Sequence, residues 1–195
     1  LSSVREAARK DSKLKFTALL HHVDQDALAE AFHELKKTAA VGVDGVTWRE
    51  YERNVEANIG GLHARLHRGA YRAKPSRRAW IPKSDGRQRP LGIASLEDKI
   101  VQQAVAKVLS CVYEGDFIGF SYGFRSGRGQ HDALEALSVA VTTKRVNWIL
   151  DADIEGFFDM IDHDWLIKFL VLRIGDRRIL GLIGKWLRAG VSENG

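Results

Sequence analysis

Cysteine is nearly missing from this chain of 195 residues, and its scarcity excludes two kinds of stabilising site. The single cysteine, Cys111, cannot form an intramolecular disulfide. One cysteine and seven scattered histidines also lack the ligand spacing of a zinc site. Cys111 lies among apolar helix positions, so we expect a buried small side chain. This cysteine usage fits a reducing compartment, and we expect a cytoplasmic protein.

Long apolar segments are also missing. No apolar run approaches the roughly 20 residues that cross a bilayer, and Leu1 does not begin a signal-peptide pattern. We therefore expect no membrane contact. The chain shows neither an internal repeat nor a low-complexity linker, and 45% of its residues are apolar. These features predict a globular chain with one sizeable core or two small ones.

Acidic residues are almost absent from one part of the chain, which we call the basic stretch (residues 65–89). It contains nine Lys or Arg and one acid, whereas the other 170 residues carry 21 basic and 24 acidic side chains. A solvated loop usually interleaves acids with bases, so the pattern indicates a surface for a polyanion. Six cations of this stretch are predicted to contact a nucleic-acid backbone without reading its sequence: Arg65, Arg68, Arg72, Lys74, Arg77 and Arg78.

Hydrophobic periodicity and capping residues predict a mixed α+β chain. Thr47 with Glu50 forms a capping-box pattern, and Ser95 is a second predicted N-cap. Residues 79–83 and 88–93 predict two strands joined by an Asp-Gly turn. The predicted helices cover residues 24–37, 47–61, 62–69, 96–112, 132–141, 165–173 and 176–188.

The segment from Val146 to Ile154 is apolar and β-prone, and it predicts a buried strand. Because side chains alternate along a strand, Asp151 and Asp153 would lie on the same face. Neighbouring carboxylates repel unless a cation lies between them, and Mg²⁺ takes oxygen ligands and bridges carboxylates to phosphates. An Asp-x-Asp pattern is more often surface charge or a helix cap, so the pattern alone leaves both interpretations open.

Several ordered motifs together resemble one family. They are Gly42–Gly45 (Gly-Val-Asp-Gly), Ile81–Lys83, Arg89–Ile93, Asp98–Lys99 with Gln102–Gln103, Ser121–Arg125 with Gly127–Arg128, and Asp151–Ile154 with Phe157–Asp159. This series resembles the amino-terminal half of bacterial group II intron-encoded reverse transcriptases, also called maturases. The resemblance covers nearly the whole chain, and the order of the motifs is far more specific than any one of them.

The resemblance implies a right-hand polymerase fold of the α+β class. Residues 1–112 would be fingers, with the hairpin near 79–93, and residues 113–195 would be the first part of a palm with an incomplete antiparallel sheet. The family's Tyr-Ala-Asp-Asp hairpin, which carries the other catalytic carboxylate, is not in this sequence. We therefore expect this chain alone to be inactive in polymerisation, and we expect its unpaired palm strand to favour a homodimer.

The resemblance also implies roles for particular residues. Asp153 would be the catalytic metal ligand for Mg²⁺ in a two-metal site, with the Ile154 carbonyl as a second candidate ligand. Phe158, five residues after Asp153, would lie beneath the sugar 2′ position and reject ribonucleotides; an ordinary core aromatic is the alternative. Asp151 would be structural or would support the metal site, and Asp159 and Asp162 would cap or brace the following helix. Lys83 and Arg89 flank the hairpin turn and would contact the triphosphate; solvated hairpin charges are the alternative.

The segment around Phe120, Tyr122 and Phe124 mixes aromatic rings with Arg125 and Arg128. Such a mixture stacks bases and holds phosphates, or it anchors a loop. We expect Tyr122 and Phe124 to pack and Arg125 to lie near the template.

The implied partners are intron RNA, template RNA, a DNA primer and deoxynucleoside triphosphates. A different class of function is also open: a non-catalytic RNA-binding module for splicing. A related reverse transcriptase of a defence or diversity-generating system is the third alternative.

Overall fold

A computed structural model describes residues 1–82 and 86–193. These residues form a mixed α+β structure, as predicted, with eight α-helices, one short 3₁₀ helix at Leu20–His22 and a three-stranded sheet. The helices are α1 (Ser2–Lys10), α2 (Gln25–Glu34), α3 (Trp48–Glu52), α4 (Val55–His67), α5 (Leu96–Tyr113), α6 (Gln130–Thr143), α7 (His163–Arg173) and α8 (Arg177–Arg188). The strands are β1 (Ser76–Pro82), β2 (Gln88–Ile93) and β3 (Val191–Ser192).

Side-chain caps set the beginnings of the amino-terminal helices. The Asp24 carboxylate accepts a hydrogen bond from the Ala27 backbone N–H at 2.8 Å and starts α2. Thr47 and Glu50 form the predicted capping box of α3, and Ser95 caps α5. Each cap satisfies backbone N–H groups that have no partner within the helix, so these starts are determined locally.

The core surrounds α5, whose buried face runs from Leu96 to Val112. Phe32 of α2 stacks on Trp48 of α3, with ring centroids 4.7 Å apart, and both side chains are buried. Cys111 is buried in this core as a free cysteine, which confirms the prediction for it. Within the described ranges, no helix is both long enough and apolar enough to span a membrane.

The predicted break at Gly60–Gly61 is wrong, because α4 continues through both glycines to His67. Glycine costs about 1 kcal/mol relative to alanine inside a helix. Ile59, Leu62 and Leu66 lie three to four residues apart and are all buried in the core. Burying three large aliphatic side chains releases more free energy than the two glycines cost, so the helix continues.

The hairpin prediction is confirmed over the described residues. Strands β1 and β2 are antiparallel, with Arg78 opposite Gly92 and Trp80 opposite Pro90. Residues 83–85, which include Lys83 and the first half of the predicted turn, lie outside the described residues. The short strand β3 pairs in parallel with β1, from Ser76 opposite Val191. Strand β3 was not predicted, because two residues are too few to show the alternation of apolar and polar side chains that indicates a strand.

The predicted buried strand from Val146 to Ile154 is wrong. These residues form no regular secondary structure, and every one of them is exposed. A strand needs a hydrogen-bonding neighbour to be stable, and no strand within residues 1–82 and 86–193 pairs with this segment. The predicted antiparallel palm sheet is therefore not formed among these residues, and the sheet that is present is built on the hairpin.

A buried carboxylate connects the segment after α1 to the start of α8. The Asp176 side chain accepts hydrogen bonds from the backbone N–H groups of Leu19 and Leu20, at 2.8 and 2.9 Å. A backbone bridge between Phe16 and Ile174 lies beside it. These contacts fix α8 against the amino-terminal helices, and α8 carries one of the basic surfaces described below.

Candidate nucleotide-binding cleft and basic surfaces

A cleft of about 840 Å³ lies between β2, at the edge of the sheet, and the loop that carries Asp153. It brings together four residues that the sequence predicted for nucleotide or metal binding: Arg89, Asp153, Ile154 and Phe158. The lining residues are Arg78, Arg89, Pro90, Leu91, Gly92, Asp153, Ile154, Gly156, Phe157, Phe158 and Asp159. Residues about 60 positions apart in the chain therefore face one another across a single open site.

The Asp153 loop is held in shape by its own backbone. Gly156 has a positive φ of 60°, a conformation that glycine adopts without steric cost. Its carbonyl accepts hydrogen bonds from the Asp159 and Met160 N–H groups, both at 3.0 Å. The Asp153 carboxylate accepts from the Ile154 N–H at 2.9 Å and is exposed on the cleft wall. Asp151, by contrast, does not line the cleft.

Phe158 occupies the cleft wall rather than the core. Its side chain is 72% exposed, and its ring lies edge-to-face against Phe157 with centroids 5.4 Å apart. The residues from Val146 to Met160 are all exposed, so exposure by itself does not distinguish Phe158 from its neighbours. The position agrees with, but does not test, the predicted contact with a nucleotide sugar.

Two carboxylates near the loop were predicted to cap or brace the next helix. Asp162 does so, because its carboxylate accepts the Trp165 N–H at 2.9 Å at the start of α7. Asp159 instead lines the cleft with Asp153.

Mg²⁺ prefers oxygen ligands, and the carboxylates of Asp153 and Asp159 with the Ile154 carbonyl form an oxygen-only donor set. The set is partial: no group of three or more His, Cys, Asp or Glu within the described residues is arranged to hold a metal.

Arg78 was predicted only as a backbone-contacting cation, but it lines the cleft. Its Nε atom is buried and has no hydrogen-bond partner among the described residues. A Glu193 carboxylate oxygen is 3.9 Å away, which is too far for a hydrogen bond. The buried Nε atom cannot reach a ligand, but the Arg78 side chain as a whole is 27% exposed, and Arg89 is exposed as well. Both residues line the cleft and bring positive charge to it.

A buried polar network positions the hairpin. The Asp98 carboxylate is 2% exposed and accepts hydrogen bonds from the Tyr71 hydroxyl, the Ser95 hydroxyl and the Lys74 N–H. Burial and the bond to Asp98 raise the pKa of Tyr71, whose oxygen also accepts from the Trp186 indole N–H. Asp98 belongs to a motif used for the family resemblance, and the structure shows what it does locally: it fixes the chain that enters β1.

The basic stretch does not form one continuous surface. Arg65 donates two hydrogen bonds to Glu97, at 3.0 and 2.7 Å, which raise the pKa of the guanidinium. Lys74 pairs with Asp44 at 2.9 Å, and Arg77 donates to the Val41 carbonyl.

The other arginines of the basic stretch lie in different places. Arg78 and Arg89 lie in the cleft, whereas Arg68 and Arg72 line two other cavities. Nucleic-acid contact by the six cations predicted for it, a set that does not include Arg89, stays a prediction.

Arg125 is buried rather than presented to solvent. Its guanidinium donates to Glu114 at 2.6 Å and to the carbonyls of Ser121 and Ile118. These bonds also lower the pKa of Glu114. The predicted contact with a template stays untested, and it would have to compete with this network.

The prediction that Phe124 packs is wrong. Because Arg125 takes the inward position, Phe124 is fully exposed, with a positive φ of 57°. Tyr122 is half-buried, and the Arg128 guanidinium lies 5.5 Å from its ring centroid. Arg128 also donates to the Gly119 carbonyl at 2.5 Å, so its predicted contact with nucleic acid stays a prediction.

Carboxylates facing arginines across an open cleft are the groups with which proteins handle phosphates and a divalent metal, so the site indicates the class of phosphoryl-transfer proteins. Comparison with known proteins identifies the family. Residues 81–194 match the family described as "Reverse transcriptase (RNA-dependent DNA polymerase)". That match covers more than half of the chain, which therefore belongs to the reverse transcriptase family.

The relatives confirm the resemblance to the group II intron-encoded branch. The chain is 35% identical over 190 residues to protein YkfC of Escherichia coli, covering 94% of this chain and 50% of YkfC. It is 34% identical over 181 residues to the group II intron-encoded protein LtrA of Lactococcus lactis, covering 92% of this chain and 30% of LtrA. It is 27% identical over 92 residues to nuclear intron maturase 1 of Arabidopsis thaliana, covering 47% of this chain and 13% of that protein. The chain thus spans half or less of the length of these relatives.

Proposed function

We propose that this chain forms the nucleotide-binding part of an intron-encoded RNA-directed DNA polymerase. One observation carries the proposal: the cleft joins Asp153, Ile154 and Phe158 of one segment to Arg78 and Arg89 of the hairpin. Residues 1–112 would act as fingers and residues 113–195 as the first part of a palm. In this reading the hairpin arginines hold the triphosphate, and Phe158 excludes the ribose 2′-OH.

Reverse transcriptases use Mg²⁺, and the oxygen donors of the cleft suit that ion. Asp153, with the Ile154 carbonyl, would hold it. When bound, the ion supplies charge stabilisation for the attacking and leaving oxygens of phosphoryl transfer. Arg89 would orient the triphosphate as a planar fork of donors, and Arg78, which lines the same cleft, would contribute a second positive charge.

The test is primer extension on an RNA template by the product of the full open reading frame. Asp153→Ala should abolish DNA synthesis while leaving RNA binding nearly intact. Asp151→Ala is the matched control, because it removes the same charge two residues away and does not line the cleft. Near-normal extension by the Asp153 variant, or equal loss in both variants, would remove Asp153 from the site.

A second function, RNA binding in splicing without chemistry, is favoured by the basic stretch and by the relative that is named a maturase. The two functions are compatible in one protein. Splicing activity that survives Asp153→Ala, in a protein that never extends a primer, would support the binding function alone.

A further inference from the structure

Two adjoining cavities, of about 550 and 340 Å³, lie where the end of α4 meets α8. They share Gly69 and Lys185 as lining residues. Their walls carry five cationic side chains: Arg68, Arg72, Arg178, Lys185 and Arg188. No Asp or Glu is among the lining residues within the described part of the chain. We call these five side chains the α4–α8 surface.

The sequence of α8 builds one half of this surface. Arg178, Gly181, Lys185 and Arg188 are spaced by three, four and three residues, so they lie along one side of the helix. The other side of α8 buries apolar side chains such as Ile179 in the core. This arrangement presents cations from the carboxyl-terminal helix beside two arginines of the basic stretch, which the sequence alone did not connect.

Some of these cations already have partners. Lys185 donates to the carbonyls of Tyr71 and Gly69, at 2.6 and 3.3 Å, and so fastens α8 to the end of α4. Arg178 pairs with the buried Asp176 at 3.3 Å. These two side chains contribute positive potential, but their contacts are structural.

Three arginines of the surface remain available. Arg68, Arg72 and Arg188 are exposed, and no carboxylate of the described residues lies within ion-pair distance of them. Arg68 uses one donor on the Ala64 carbonyl. Each guanidinium has five N–H donors in a geometry that matches phosphate oxygens, so most of their donors are unused.

We propose that the α4–α8 surface binds the phosphate backbone of RNA as a contact separate from the Asp153 cleft. The surface and the cleft share no lining residue. Arginines with unused donors and no carboxylate partner attract the phosphates of a polyanion, and such contacts do not read the bases. The choice of RNA as the polyanion rests on the proposed function.

The test measures the binding of a labelled stem-loop RNA to the chain over a series of salt concentrations. The triple variant Arg68→Gln, Arg72→Gln, Arg188→Gln removes the three available cations and leaves Lys185 in place. Each lost phosphate contact should reduce the slope of log affinity against log salt by about 0.7 to 0.9, so the slope should fall by roughly 2. At about 0.1 M salt this corresponds to a loss of affinity of about 100-fold.

A matched triple, Lys13→Gln, Arg53→Gln, Lys144→Gln, changes the net charge equally at exposed positions outside both cavities. It should leave the slope nearly unchanged. Equal effects of the two triples would overturn the proposal, because the effect would then be one of net charge. Loss of binding to phosphatidylserine vesicles in the first triple, with unchanged RNA affinity, would overturn it as well.

The outcome is independent of the chemistry in the cleft. A wild-type reading-frame product that extends no primer, combined with the predicted change in slope, would refute the polymerase proposal and support the RNA surface. Normal primer extension by the wild-type protein, combined with an unchanged slope in the triple variant, would support the polymerase proposal and refute the RNA surface.

Discussion

Replacing Asp176 with asparagine should destabilise the chain by roughly 2 kcal/mol at neutral pH. The carboxylate is 2% exposed, and its two oxygens accept the backbone N–H groups of Leu19, Leu20 and Arg178 at 2.8 to 2.9 Å. An asparagine of the same shape would turn an NH₂ group toward at least one of these donors. The variant would therefore lose charge-assisted hydrogen bonds and leave a buried donor unpaired.

The magnitude follows from the pKa of this carboxyl. Burial alone would raise it, but the hydrogen bonds from Leu19, Leu20 and Arg178 outweigh burial and lower the pKa from 3.8 to about 2. One pKa unit corresponds to about 1.4 kcal/mol, so the ionised form stabilises the fold by roughly 2 kcal/mol. Because the folded pKa is below the unfolded one, this contribution is complete above about pH 4. It is lost as the pH falls through about 2.

The assay is urea unfolding of the wild-type chain and Asp176→Asn across pH 7 to 2. The difference in free energy of unfolding should shrink as the pH falls below about 4, since the wild-type carboxyl becomes protonated. Asp24→Asn is the control, because Asp24 is an exposed helix cap and asparagine caps a helix equally well. A deficit that stays constant down to pH 2, or a variant as stable as wild type at pH 7, would refute the reasoning.

Three further predictions concern Arg89 in the cleft, Gly60 in α4 and Gly42 in the loop before α3. Arg89→Gln should raise the KM for deoxynucleoside triphosphates by about 10-fold or more in steady-state primer extension, because a hydrogen bond to a charged phosphate is worth about 1.5 to 3 kcal/mol. Arg53→Gln is the control and should leave this KM unchanged. Equal KM values for the two variants would contradict the role assigned to Arg89. Gly60→Ala should raise the free energy of unfolding by up to about 1 kcal/mol, since nothing lies within 4 Å of the added Cβ in a helix interior. Gly42→Ala should lower the free energy of unfolding, because the added Cβ would lie 2.5 Å from the Ser95 Cα. Chemical denaturation should therefore show Gly60→Ala to be more stable than Gly42→Ala, and the opposite order would refute both predictions.

The parts of the fold that sequence predicted are those set by local chemistry. The Thr47–Glu50 capping box, the Ser95 cap and the hairpin strands all rest on residues close together in the chain. The continuous α4 and the exposed 146–154 segment depend on contacts with distant residues. Apolar β-prone composition predicts a strand only when a partner strand is available, and composition cannot show whether one is.

The candidate site was predictable only in part, because the sequence shows its local motifs but not the packing that brings distant residues together. The ordered motifs pointed to Asp153, Phe158 and Arg89, and the structure places all three on one cleft. Arg78 and Asp159 were not predicted to line it, because Arg78 was predicted to contact a nucleic-acid backbone and Asp159 to cap or brace the next helix. Nothing in the spacing of Arg72 and Arg188 connects them, and only the packing of α8 against the end of α4 brings them to adjoining walls.

The most direct test of the central claim, that this cleft holds the incoming nucleotide, is the sugar selectivity of Phe158→Val in the product of the full open reading frame. Competition between ribonucleotides and deoxynucleotides should show a clear gain in ribonucleotide incorporation, because a smaller side chain leaves room for the 2′-OH. Phe157→Val is the matched control: its ring lines the same cleft 5.4 Å from Phe158 and should leave selectivity unchanged. A gain of substrate range cannot result from misfolding. Unchanged discrimination in the Phe158 variant would contradict the placement of the nucleotide in this cleft.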